Sequence, residues 1–225
     1  MTLVIAAAGQ HEVIIGAERL CPLGDDDGRY GIGVSKIRLL GNVGFGFAGW
    51  RSGIALFDTA KEKYPIKAGV PLHEEIKAFL GVMSRAYSDF ANSSDDIRVV
   101  ACGVDGGKPL IYTARLFCGG SSYPTHHIEG RVAVGLEKHG ALHFLHTYHR
   151  PDMSTSELAF LVYFSISETI RHDTRVRGPI DMYVVREGET KPLKQEQVKV
   201  LDIATRKTTK RIGTTLSRLS PDIGA

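Results

Sequence analysis

The sequence predicts an α+β fold: two antiparallel sheets face to face with helix layers outside, a four-layer αββα sandwich. Three observations predict it. Short apolar or alternating runs of strand length are divided by Gly, Asp and Asn turns. Two helical patterns follow the first strands, and two more precede a late strand. Ile76, Phe79, Leu80, Met83 and Tyr87 fall at 3.6-type spacing, as on one face of a helix.

In chain order, residues 3–8 form a continuous apolar run and read as a buried strand. After the turn 9–12, residues 13–17 form a second, so the pair is an antiparallel hairpin. Residues 22–33 are rich in Gly and Asp and read as a loop. Residues 36–40 alternate polar and apolar. Residues 44–49 form a strand whose glycines permit close backbone approach. Helices are expected at about 50–63 and 72–90, separated by Pro65 and Pro71. Strands follow at 97–104 and 108–114, joined by the turn Asp105-Gly106-Gly107, and a short one at 131–134. A helix is expected at 136–148. Ser154 and Glu157 form a capping box that opens another, running to about His172. A strand at 180–186 and a turn at Gly188-Glu189 follow, and residues 195–219 read as helical or irregular.

The length, 225 residues with 43% hydrophobic content, suits one domain with a sizeable core and fits poorly as two. A net charge of +3 is too weak to argue for nucleic acid. The one basic run, residues 206–211, reads as a solvated tail segment. Cys21, Cys102 and Cys118 form no CxxC pair, which points to reduced thiols and a cytoplasmic setting. The apolar start is too short for a signal peptide and lacks a basic region, and no run is long enough to span a membrane. No phosphate loop and no cofactor motif is present.

The N-terminus carries the chemistry. Removal of Met1 would make Thr2 the chain start, with a nucleophilic hydroxyl beside its own α-amine as base. The opening stretch from Thr2 to Arg19 resembles the first hairpin of the proteasome β-subunit family, the threonine-type N-terminal nucleophile hydrolases. The spacing from Thr2 to Glu18 resembles that from the family's nucleophile to its acidic residue. Ser35-Lys36-Ile37 resembles its lysine strand, and residues 47–53 resemble its glycine turn into the first helix. His172-Asp173 with Gly178-Pro179-Ile180-Asp181 resembles its acidic turn. The likeness spans about residues 2–190 of a domain covering 1–225, with 191–225 as a C-terminal extension. It implies a proteasome-like sandwich.

By that resemblance Thr2, Glu18, Lys36, Gly49 and Asp173 are the catalytic residues. Lys36 beside the amine would disfavour a second positive charge and lower the amine's pKa. Glu18 would hold Lys36 by an ion pair. The Gly49 N–H would face the oxyanion, with glycine letting substrate approach. Phe47, Arg51 and Ala55 would line the substrate pocket. Glu18 and Lys36 also fit an ordinary exposed pair, Gly49 a strand end, Asp173 a helix cap or turn, and Arg51 a solvated helix residue. The family's two serines on the α-amine have no serine here: Lys138 or His139 falls near the first and Val176 at the second, with Thr174 nearby. His139, His143 and His146 would share one helix face; lacking an acidic or cysteine partner, they suit an exposed or subunit-contact surface better than a metal site.

The expected function is therefore a threonine-type peptidase or amidase working through an acyl-enzyme, without metal or cofactor, on peptide or protein substrates. The resemblance implies a homo-oligomeric ring, leaves room for an unfoldase or ATPase partner, and involves neither nucleic acid nor membrane. The absence of a long N-terminal extension points away from the family's α-type subunits. Two other uses stay open: acyl transfer to an amine through the same Thr2, as in a peptide ligase or transamidase, and a non-catalytic assembly subunit that keeps Met1.

Overall fold

The structure, a computed structural model, describes residues 3–19, 21–22, 30–31, 33–49, 52–65, 70–89, 96–117, 120–121, 124–135, 138–172 and 178–219. The first strands are β1 (Leu3–Ala8), β2 (Glu12–Glu18), β3 (Cys21–Pro22), β4 (Tyr30–Gly31), β5 (Ile37–Leu40) and β6 (Val43–Ala48). Helices α1 (Ser52–Lys63) and α2 (Leu72–Asp89) follow. Next come β7 (Ile97–Asp105), β8 (Lys108–Phe117), β9 (Gly120–Ser121), β10 (Thr125–His126) and β11 (Arg131–Gly135). The chain continues through α3 (Lys138–Tyr148), α4 (Thr155–His172), β12 (Ile180–Arg186), β13 (Glu189–Pro192) and α5 (Gln195–Leu219).

The larger strands form two antiparallel sheets. One has the order β11-β1-β2-β12-β13, and the other β10-β8-β7-β6-β5 with β9 on β8. In the first sheet Val4 lies opposite both Ala17 and Val134, and Ile180 lies opposite Glu18. All six residues of β1 are buried, because strands flank both its edges and packed layers cover both its faces.

Apolar alternation sorts side chains into three clusters. Phe45 and Phe47 of β6 join Phe57 of α1 and Phe79 of α2. The Phe45, Phe57 and Phe79 rings meet at 5.1–5.5 Å between centroids, and each such pair adds about 0.5–1.5 kcal/mol beyond its burial. Leu3, Ile5 and Ile14 of the first sheet pack against Leu145 of α3 and Leu158, Val162 and Ile166 of α4. The third cluster draws from both sheets, with Val4, Ile15 and Val185 against Val100, Cys102 and Ile111. A Cβ on Gly46 would run into Val4 from the other sheet, so the β6 glycines set how closely the sheets approach.

The capping box closes as the sequence predicts. Ser154 N–H donates to Glu157 Oε2 at 2.8 Å, and Glu157 N–H donates to Ser154 Oγ at 3.3 Å. Two expectations need correction. The loop expected over 22–33 includes, among its described residues, part of a small pairing of β3 with β4. The strands β9, β10 and β13 carry little apolar signal and were not expected; each is held by pairing to a longer neighbour. Of the two alternatives for residues 195–219, the helical one is observed, as one 25-residue helix. Val198 and Leu201 pack toward α4, and Thr209 Oγ1 donates to Glu168 Oε1 at 2.9 Å. Packing of its apolar face on α4 holds that helix in place. No described helix is long and apolar enough to cross a membrane.

Candidate active site

β2 ends on Glu18, directly beside the start of β1. Its side chain is fully buried. One carboxylate oxygen, Oε2, accepts the Leu3 N–H at 3.0 Å, and the other, Oε1, takes the Lys36 ammonium in an ion pair. Lys36 stands just before β5, in the opposite sheet, and is only 4% exposed. Its carbonyl accepts the Phe47 N–H at 3.0 Å, which ties it to the end of β6. The pair therefore bridges the two sheets beside Leu3, the first described residue of β1. Burial pushes the Glu18 carboxyl above the ordinary carboxylate range, while Lys36 and the Leu3 N–H pull it back. The exposed-pair alternative does not describe this arrangement: both side chains are out of water.

Gly49 follows β6 immediately and is exposed, with φ of 125°. A Cβ there would strike the Asp96 carbonyl oxygen. The backbone requirement at this position is thus local, from left-handed φ and a close crossing, and exists without any substrate. Phe47 does not form a pocket wall. Its side chain is 3% exposed and its ring lies 5.7 Å from that of Phe57 in the helix-side core. Strand alternation turns it away from the inter-sheet side where Ala48 packs. Ala55 is exposed on α1. Thr2, Arg51, Asp173, Thr174 and Val176 lie outside the described residues.

Beside Glu18 stands an ion pair that sequence reasoning did not single out. Arg19 Nη2 meets Asp181 Oδ1 at 2.6 Å, and Arg19 N–H donates to the Pro179 carbonyl at 2.9 Å. Asp181 sits in the acidic turn motif, but its partner follows from the register of β12 on β2, which one sequence does not display. His139, His143 and His146 are all exposed on α3, and His146 Nδ1 accepts Arg131 Nε at 3.1 Å. Among the described residues, no group of three or more His, Cys, Asp or Glu side chains could hold a metal ion. Cys102 is buried in the inter-sheet core, and burial pushes its thiol up to about 12.

No family model and no curated protein matches the sequence. Solved structures do match. Anbu from Hyphomicrobium sp. strain MC1 has a TM-score of 0.75 at 16% identity, covering 99% of this chain and 100% of that one. The fold is shared with Anbu. A Gly-1 mutant of the Hyphomicrobium Anbu gives 0.75 at 15%, with 98% of each chain covered. Anbu from Yersinia bercovieri, described as an ancestral beta-subunit, gives 0.75 at 11%, covering 99% of this chain and 100% of that one. These matches correct the resemblance drawn from sequence. These three structures are Anbu proteins, so the assignment to the proteasome β-subunit family of threonine type is set aside. At these identities Anbu supplies an architecture for this chain and no assignment of residue roles.

Proposed function

We propose that this chain is a threonine-type peptidase or amidase whose nucleophile is Thr2, exposed by removal of Met1. The observation that carries the reading is the bond from the Leu3 N–H to Glu18, with Lys36 on the other carboxylate oxygen. Leu3 is the residue after Thr2, and β1 begins on a buried carboxylate–ammonium pair. A cation beneath a free α-amine disfavours protonation of that amine and leaves it able to accept a proton. The Thr2 hydroxyl gives its proton to the amine as its oxygen attacks the substrate carbonyl. The amine then protonates the leaving nitrogen, the C–N bond breaks and an ester on Thr2 remains. Water hydrolyses the ester and restores the hydroxyl. The Gly49 N–H stabilises the oxyanion in both steps, and Asp173 orients the amine. Arg51 and Ala55 are proposed to line the substrate pocket.

We extend the proposal to one domain folded as a four-layer αββα sandwich, acting on peptides in a cytoplasmic homo-oligomeric ring open to an unfoldase partner. The three core clusters, two helix-side and one between the sheets, support the layering. Intact mass after incubation with a peptide epoxyketone tests the chemistry. Loss of Met1 with a single adduct, absent from Thr2→Ala, is the expected result. Retained Met1 with no adduct would overturn the reading in favour of a non-catalytic assembly subunit. If the adduct forms, adding an amine nucleophile and analysing products separates hydrolysis from acyl transfer.

A further inference from the structure

We propose that the cleft along the outer edge of β11 binds an extended, acidic peptide segment as an added β-strand. β11 ends its sheet, so one edge faces β1 and the other has no strand neighbour among the described residues. The register fixes which groups face outward. Ala8 N–H donates to the Gly130 carbonyl at 2.7 Å, and β1 continues antiparallel from there, with Ala6 opposite Val132 and Val4 opposite Val134. Hydrogen-bonded pairs alternate along such a ladder, so 130, 132 and 134 bond to β1. Arg131 and Ala133 therefore direct their N–H and C=O groups to the outer edge. That edge is a template for one more strand.

The edge is recessed. Residues 131–134 line a cleft of about 480 Å³, walled by Lys138, Leu142 and His146 of α3 on one side and by residues 126–129 on the other. That volume lies within the roughly 300–1,000 Å³ of ligand clefts. A sheet edge from a second folded copy would bring its own helix layer and could not enter between these walls. A single extended chain can. Charge selects the kind of chain. Glu129, the one acidic residue among those lining the cleft, is held by Arg131 Nη2 at 2.9 Å. Lys138 at the rim leaves the cleft with a net positive charge, and His126, His127 and His146 add no negative one. An acidic side chain on the added strand meets that charge.

This binding is independent of Thr2, so the experiment uses Thr2→Ala as well as the full chain. The probe is a fluorescein-labelled, end-capped Val-Glu-Val-Glu-Val peptide, read by anisotropy, beside its Val-Lys-Val-Lys-Val counterpart. The Glu peptide is expected to bind at least tenfold tighter. N-methylation of alternate backbone nitrogens is expected to weaken it tenfold or more in one register and little in the other, because only one set of N–H groups faces β11. Lys138→Glu, at the start of α3, is expected to reverse the preference between the two peptides. Equal binding of both peptides, equal effects of both N-methyl registers, or no anisotropy change up to millimolar protein would each overturn the proposal. All of these leave the Thr2 chemistry untouched, and failure of Thr2 to label leaves the peptide binding untouched.

Discussion

Lys36 and Glu18 form a buried ion pair across two sheets, and the same carboxylate holds the Leu3 N–H. Such pairs contribute little net stability beside apolar residues of similar volume, but breaking one leaves a buried charge and costs about 3–5 kcal/mol. Lys36→Met is therefore expected to lower stability by that amount in urea titration. The double variant Glu18→Met/Lys36→Met is expected to recover most of the loss. Neither is expected to give the epoxyketone adduct. A double variant as stable as wild type that still labels at Thr2 would remove the pair from the chemistry.

Gly49 makes a separate, purely structural forecast. Its φ of 125° and the adjacent Asp96 carbonyl exclude any Cβ without movement. Gly49→Ala is expected to cost about 1–3 kcal/mol in denaturant unfolding. Gly41→Ala, where φ is 56° and a Cβ meets nothing within 4 Å, is the control and is expected to cost less. Equal costs would show that the Asp96 contact relaxes freely.

His149 gives the pH dependence. Its Nε2–H donates to the Ala8 carbonyl at 2.8 Å, and Nδ1 faces Arg131 Nη1 at 3.4 Å. Burial pushes the imidazole below the ordinary range; the Ala8 bond opposes this and the Arg131 charge reinforces it. The folded chain then binds fewer protons than the unfolded chain just below the ordinary histidine value of ~6.5. Stability is full above that value and is lost as pH falls through the lowered folded-state value. His127, also lowered by burial, adds the same sign. The urea midpoint is expected to fall between pH 7 and pH 5, and His149→Gln to flatten part of that slope. An unchanged slope would exclude His149 as a contributor.

Cys102 is expected to be chemically silent. Its thiol is fully buried and pushed up to about 12, so almost no thiolate exists at pH 8. Peptide mapping after iodoacetamide treatment of the native protein should find Cys102 unmodified, and fully modified in 6 M guanidinium. Labelling of Cys102 in the native protein at the denatured rate would show that the inter-sheet core opens.

The sequence by itself determined most element positions. Periods of two and of about 3.6 come from backbone geometry, so Leu3–Ala8, Leu72–Asp89 and the Ser154–Glu157 cap could be read from residues within a few positions of one another. Glu18 and Lys36 came forward as a candidate pair only through a resemblance to a known family, not from any local pattern. Only the tertiary structure decided that they touch, out of water, because 18 residues and a change of sheet separate them. It decided that Phe47 packs beneath α1 rather than facing a pocket, since strand alternation gives two faces but not which one meets helices. It decided that residues 195–219 are helical, since the contacts to α4 lie about forty positions away in the chain. The outer edge of β11 belongs to the same class: strand order is set by long-range pairing, which no local pattern encodes.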